Sequence, residues 1–319
     1  MIGAAAGFNP EGIEQQFHHE RERLHFPVSE SQSRSKMRIV IVGARGMLGT
    51  DLMRAFSGRS ELTGLDIDEL DITDEAQCRV RIAELSPGVI INAAAMTRVD
   101  DCESREDEAF RVNALGAGNL AGAASEVGAR LVHYSTDYIF DGSKQGPYLE
   151  EDPTSPLGVY GRSKLQGEEL VRTRCPEHLI IRTAWLFGRH GPNFIRTILT
   201  AAQSSRQLRV VNDQLGSPTC TADLADHSVR LVEAGSQGTY HVTNNGSCTW
   251  YGLARFALDC AGMGGVSVEP VTTAEYPRPA RRPANSVLAN AHLLMEGFPA
   301  LRHWTEAVRD YVRQTINEG

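Results

Sequence analysis

The stretch Met37-Arg38-Ile39-Val40-Ile41-Val42-Gly43-Ala44-Arg45-Gly46-Met47-Leu48-Gly49 decides the fold. A β-branched run ending at Gly43 reads as a buried parallel strand. Gly46 to Gly49 then opens a helix predicted to run to about Phe56. Gly43 permits a tight turn, Gly46 lets an anion approach the backbone, and Gly49 lets helix and strand pack closely. Free N–H groups at a helix start, together with the helix dipole, suit a pyrophosphate. The glycine spacing alone is a weak signal, and its place between strand and helix strengthens it.

Working outward, strand and helix alternate. Strands are predicted at 61–65, 89–92, 130–135 and 179–182, and helices at 74–85 and 106–127. Residues 141–158 are rich in Gly and Pro and read as a loop, followed by a helix that carries Tyr160 and Lys164. This spacing of βαβ units predicts a Rossmann-like, doubly wound parallel sheet with helices on both faces. Later on the alternation loosens. Helices at 223–233, 251–261 and 303–316 and a short strand at 239–242 are expected there. Residues 37–185 are therefore assigned to the core of a dinucleotide-binding domain. Residues 186–319 are read as completing the sheet and forming a smaller C-terminal α/β lobe that binds substrate. Clefts between such a lobe and the carboxyl ends of the strands are where ligands settle. Residues 1–36 are rich in Glu, Arg, His, Gln and Ser and read as a flexible extension without a secretory signal.

Composition narrows the classes. A net charge of −8 argues against nucleic acid as the partner. No apolar run approaches the roughly 20 residues of a membrane span. Six scattered cysteines without a C-x-x-C pair read as reduced thiols of a cytoplasmic protein, not as a metal site.

Chemistry gathers in a few places. Tyr160 and Lys164 lie four residues apart on one helix face. An ammonium near a phenol favours phenolate, which makes Tyr160 a candidate proton donor to a carbonyl undergoing reduction. Asp66 closes the second strand, where an acid accepts hydrogen bonds from the adenine ribose and favours NADH. Arg45 pulls the other way, since a guanidinium pairs with the 2′-phosphate of NADPH. Asn92-Ala93-Ala94-Ala95-Met96-Thr97 ends the third strand with small residues, which suit either a flat cofactor or close helix packing. Ser135-Thr136-Asp137-Tyr138 ends the fourth, where the Thr136 hydroxyl suits either a bond to a substrate carbonyl or, with Asp137, capping of the strand end.

These segments together resemble the extended short-chain dehydrogenase/reductase superfamily and, within it, the dTDP-4-dehydrorhamnose reductase family. The likeness runs from Met37 almost to the C-terminus. It rests on Gly43 to Gly49, Asn92 to Ala95, Ser135 to Phe140 and Tyr160 to Lys164, which are shared widely. Arg182-Thr183-Ala184-Trp185, Asn212 to Thr219 and Pro279-Ala280-Arg281-Arg282-Pro283 are more particular to the reductases.

The resemblance implies reduction of the 4-keto group of a dTDP-linked deoxysugar by NADPH or NADH. It implies Tyr160, Lys164 and Thr136 as catalytic residues. Gly43, Arg45, Gly46, Met47, Leu48, Gly49, Asp66, Asp71, Ile72, Ala95, Met96, Thr97 and Tyr134 would bind cofactor with Tyr160 and Lys164. Thr136, Asp137, Trp185, Arg281 and Arg282 would bind substrate. Two other readings share the scaffold. One is a reductase of another dTDP-4-keto sugar, of the dihydrostreptose synthase type. The other is a noncatalytic, dinucleotide-binding regulatory subunit of methionine adenosyltransferase. Some family members dimerise around magnesium held by glutamates. The matching positions here are Asp51 and Ala222, so no metal is expected, and the chain is expected to be a monomer or homodimer.

Overall fold

A computed structural model of the chain describes residues 37–316, and the N-terminal extension lies outside the described residues. The first strand, β1 (Arg38–Val42), leads through the glycine turn into α1 (Met47–Phe56) and β2 (Glu61–Leu65). Helix α2 (Glu75–Leu85) starts at Asp74, whose side chain caps the Gln77 N–H, and leads to β3 (Val89–Asn92). Next come α3 (Val99–Ser104), α4 (Glu106–Phe110), a π-turn (Arg111–Gly116) and α5 (Ala117–Glu126). Then follow β4 (Arg130–Thr136), α6 (Val159–Arg174), β5 (His178–Thr183) and β6 (Leu186–Phe187). The later part holds α7 (Phe194–Ser204), β7 (Gln207–Val211), β8 (Leu215–Gly216), β9 (Thr219–Cys220) and α8 (Thr221–Ala234). It closes with β10 (Gly238–His241), β11 (Cys248–Thr249), α9 (Trp250–Cys260), β12 (Ser267–Val271), α10 (Ala291–Met295) and α11 (Trp304–Ile316).

Six strands form one parallel sheet in the order β10-β5-β4-β3-β1-β2. Alternate residues feed opposite faces. Ile39, Ile41, Val89, Ile91 and Val132 pack on one face with Leu52 and Phe56 of α1 and Leu224 and Leu231 of α8. Val40, Val42, Ile90 and Leu131 pack on the other with Ile82 of α2, Leu120 of α5 and Val171 of α6. The chain reverses its direction of travel across the sheet between β1 and β3. A crevice at the carboxyl ends of strands at such a switch point is a ligand site. A third cluster joins α7, α9, α11 and the paired β7 and β12 around Ile195, Leu253, Val268 and Val308.

One expectation changes. The single helix predicted over 106–127 is broken by the π-turn, and α3 precedes it. The π-turn brings the buried Asn113 amide toward the β3 loop, where it accepts from Met96 N (2.8 Å) and donates to Met96 O (3.1 Å). A π-bulge of this kind adds a residue to the turn and redirects a side chain. The strand expected near 239–242 is β10, through which the later part of the chain completes the main sheet beside β5. The six cysteines are free thiols, four of them buried.

Candidate active site

The glycine turn sits where β1 meets the end of β3. Gly43 has φ +78°, and a Cβ there would lie 2.7 Å from Ala94 N. A Cβ on Gly49 would lie 2.0 Å from Gly43 O, so no side chain fits at either place. Gly46 caps α1 without a side-chain hydrogen bond, which leaves the first-turn N–H groups open to an anion.

Two adjoining clefts run from this turn and share Gly46 and Ala93 to Ala95. The smaller, ≈ 300 Å³, includes Gly43, Asp66, Asp71 and Ile72 in its lining. The larger, ≈ 430 Å³, takes in Met47, Leu48, Gly49, Thr97, Tyr134, Thr136, Asp137, Tyr160, Lys164 and Trp185. Two apolar-walled chambers on either side of a helix N-terminus fit an extended dinucleotide. Its pyrophosphate would lie at Gly46, its adenosine toward Asp66, and its nicotinamide toward Tyr160. Met96 lines neither cleft, and its backbone is clamped by Asn113. Arg45 also lies outside both linings. Its guanidinium forks onto Asp68, with Nη1 at 3.0 Å from Oδ2, and Asp66 and Glu69 stand nearby.

In the larger cleft α6 presents Tyr160 and Lys164, and the end of β4 presents Thr136 and Asp137. The Lys164 Nζ donates to Tyr134 O (2.6 Å) and faces His133 Nε2 at 3.4 Å. Burial lowers the Lys164 ammonium to about 8, against the pull of Glu168. His133 stays neutral because burial and the charges of Lys164 and Arg172 hold its imidazole well below the usual value. Asn92 Nδ2 lies 3.2 Å from His133 Nδ1. Sequence reading missed this buried Asn92–His133–Lys164 file, since nothing in the spacing marks it.

The expected lowering of the Tyr160 phenol by Lys164 is not what the geometry produces. Burial pushes the phenol above its ordinary value, and only the Thr136 side chain pulls it back. The Lys164 ammonium is committed to the Tyr134 carbonyl instead. Tyr138, quoted above in the strand-end motif without a role, stands edge-on to Tyr160 with ring centroids 5.8 Å apart.

Asp137 is buried. Its Oδ1 accepts from Thr136 Oγ1 (2.9 Å), and its Oδ2 makes no hydrogen bond of good geometry, although the Ser286 hydroxyl is close enough to favour the carboxylate. Burial raises the carboxyl to about 6, against the Ser286 and Thr136 hydroxyls. Thr183 Oγ1 is likewise buried without a partner, while the buried Ser135 hydroxyl is turned toward Glu168. Asp137 and Thr183 line the same cleft, which therefore carries unmet polar groups suited to a hydroxylated ligand.

Trp185 adopts φ +47°, a left-handed conformation rare for a bulky side chain. Its indole stacks on Trp250 of α9, with centroids 3.5 Å apart and planes at 7°. Gly216 makes room for it, because a Cβ there would sit 2.3 Å from Trp185 Cε2. Trp250 comes from the C-terminal part, so the cleft has walls from both halves of the chain.

Arg281 and Arg282 do not line either cleft. Arg281 is exposed. Arg282 forks onto Asp100 of α3, with both N–O distances 3.0 Å, and donates to Ala280 O (2.8 Å). Burial pushes the Asp100 carboxyl up, but the Arg282 and Ala280 hydrogen bonds win and hold it below its ordinary value. This ties the proline-rich loop to the rim beside Tyr138.

Asp51, set aside above as a metal ligand, is buried and takes a hydrogen bond from Thr221 Oγ1 (2.6 Å). Among the described residues, one group has metal-ligand spacing, Glu150, Glu151 and His292. It lies outside both clefts. Burial disfavours the charged His292 imidazole, but the Thr239 carbonyl and the two glutamates outweigh it and raise its pKa.

Comparison with known proteins agrees with this geometry. The family model described as RmlD substrate binding domain matches residues 37–317. A dTDP-4-keto-6-deoxy-D-glucose reductase of Streptomyces niveus is 41% identical over 273 residues, covering 85% of this chain and 95% of that protein. The dTDP-4-dehydrorhamnose reductase of Escherichia coli (strain K12) is 38% identical over 288 residues, covering 86% and 96%. The dTDP-4-dehydrorhamnose reductase of Bacillus anthracis str. Ames, solved in complex with NADP, superposes with a TM-score of 0.85. It is 38% identical and covers 88% of this chain and 99% of that one.

Proposed function

The chain belongs to the RmlD substrate binding domain family, and from that membership we propose that it reduces the 4-keto group of dTDP-4-dehydro-L-rhamnose to give dTDP-L-rhamnose. NADPH or NADH is the reductant. The observation that carries this reading is the convergence of Tyr160, Lys164, Thr136 and Asp137 in one cleft that continues past the glycine turn.

A bound nicotinamide supplies the hydride to C4. Tyr160 gives its phenolic proton to the C4 oxygen, and the raised phenol keeps that proton in place until the oxygen becomes basic. Thr136 orients the carbonyl. Lys164, lowered to about 8, is the neighbouring proton store that restores the phenol. Asp137 and Thr183 meet the sugar hydroxyls, and Trp185 offers an apolar face to the deoxy carbon. Arg281 and Arg282 sit on the rim, where Arg281 is free to approach the diphosphate and Arg282 positions the loop through Asp100. The intact set of proton-handling groups supports an enzyme over a noncatalytic dinucleotide-binding subunit. The similarity to a dTDP-4-keto-6-deoxy-D-glucose reductase keeps a related dTDP-4-keto sugar as the second reading.

The enzyme is read as a cytoplasmic monomer or homodimer, and among the described residues no helix is long and apolar enough to cross a membrane. The test is NAD(P)H oxidation with enzymatically generated dTDP-4-dehydro-L-rhamnose, with product identified by mass and retention. Tyr160→Phe is expected to lower kcat by about 10²–10⁴-fold while dinucleotide binding is kept. Wild-type turnover in that variant removes Tyr160 from the mechanism.

A further inference from the structure

We infer that the adenosine end of the groove selects NADH over NADPH, through a carboxylate cluster that disarms Arg45. The inference rests on reading the groove as a dinucleotide site.

The 2′ position of the adenine ribose is read at the end of β2. Asp66 stands there. Its Oδ2 accepts from Arg45 N (2.9 Å) and its Oδ1 from Ile67 N (3.0 Å), so the carboxylate is fixed at the mouth of the smaller cleft. The Asp66 N–H is held in turn by Glu69 Oε2 (2.8 Å). A carboxylate so placed accepts from a 2′-hydroxyl and repels a 2′-phosphate.

Arg45 is the cation that could rescue the phosphate, and its position in the glycine turn suits that task. Its forked donors are already spent on Asp68, and Asp66 and Glu69 approach it at 3.7 and 3.9 Å. Three carboxylates thus face one guanidinium. A 2′-phosphate, bearing close to two negative charges, would have to take Arg45 from Asp68 and then lie against the remaining acids. The residue after Asp66 offers no help, since Ile67 is 74% exposed and uncharged. No Lys or Arg lines the smaller cleft.

All four side chains are partly open to water, so screening limits the contrast. A preference for NADH of at least about tenfold in kcat/KM is expected. The experiment measures kcat/KM for NADH and NADPH with the same dTDP-4-keto sugar, and dissociation constants for both dinucleotides by fluorescence without sugar. Asp66→Ser is expected to lower the NADH-to-NADPH ratio at least about tenfold. Asp66 also bonds its own loop, so Asp68→Asn provides the second arm. It leaves Asp66 in place, frees the Arg45 fork, and is expected to improve NADPH binding. Equal or tighter binding of NADPH by the wild type overturns the inference, as does an unchanged ratio in both variants. Absence of turnover with any dTDP-4-keto sugar would instead count against the proposed reaction, and the binding ratio would still decide the selectivity.

Discussion

Replacing Asp137 by Asn should make the protein more stable at neutral pH and a poorer catalyst. The carboxyl is buried, one of its oxygens makes no hydrogen bond of good geometry, and its pKa is raised from 3.8 to about 6. A carboxyl raised in the folded state binds its proton more tightly there than in the unfolded chain. Below about pH 4 it is protonated in both states and imposes no ionisation penalty. As pH rises through 6 the folded state must hold a buried anion, and above that the penalty is complete. A shift of about two units corresponds to about 3 kcal/mol at most. Asn keeps an acceptor for the Thr136 hydroxyl and cannot ionise. Any pH-independent effect of its amide cancels when the two proteins are compared at two pH values. The stability gain of Asp137→Asn over wild type is therefore expected to be about 2–3 kcal/mol larger at pH 8 than at pH 4. In thermal unfolding that is a difference of roughly 5 °C. Turnover should fall because the sugar loses a charged acceptor. A stability gap that is constant from pH 4 to pH 8 would refute the reasoning, because ionisation of Asp137 would then contribute nothing to folding.

Two further outcomes are expected. The alkaline limb of kcat/KM should show an apparent pKa near 8, since Lys164 is lowered to about 8 and its ammonium is lost as pH rises through that value. In Lys164→Arg that limb should move beyond the measurable range, and an unmoved limb assigns it to another group. Arg182→Met should destabilise the fold by about 1.5–3 kcal/mol, because it removes the bidentate partner of the buried Glu168 (2.8 and 3.0 Å) and leaves that carboxylate only the partly exposed Arg172 (2.7 Å). Adding Glu168→Gln should recover most of that loss in urea denaturation, and a double variant as unstable as the single one refutes the pairing.

The parts legible from the chain alone were those set by local pattern. Strands β1 and β3 were found because β-branched runs ended in Gly43 and Asn92, and β2, with Thr63 its one β-branched residue, because it fell at βαβ spacing ahead of Asp66. The glycine turn was readable because glycine freedom at a strand-to-helix junction has few uses. Helix α3 was missed, since Val99-Asp100-Asp101-Cys102-Glu103-Ser104 lacks apolar periodicity and is held by contacts such as Asp100 with Arg282. The β7–β12 pair was missed because its partners are far apart in sequence. Trp250 and His133 belong to the cleft and its floor only once distant elements meet. The pKa of Tyr160 was misjudged for the same reason: helical spacing brought Lys164 near, while the direction of its Nζ was decided by the Tyr134 carbonyl on β4.

The order in which the clefts acquire their walls follows the order of synthesis. The smaller groove is lined by nothing later than Val112, whereas the larger one needs Trp250. Trp250 leans on a cluster that includes Ala307, Val308, Tyr311 and Val312, buried residues of α11. During translation the residues that line the adenosine end therefore emerge long before the last of those that line the sugar end. The substrate wall waits for the closing helix to leave the exit tunnel. Without the residues from Trp304 onward, the aromatic wall loses the cluster that supports it. Any cellular check on completeness would find the unfinished apolar surface on α7 and α9, not on the sheet.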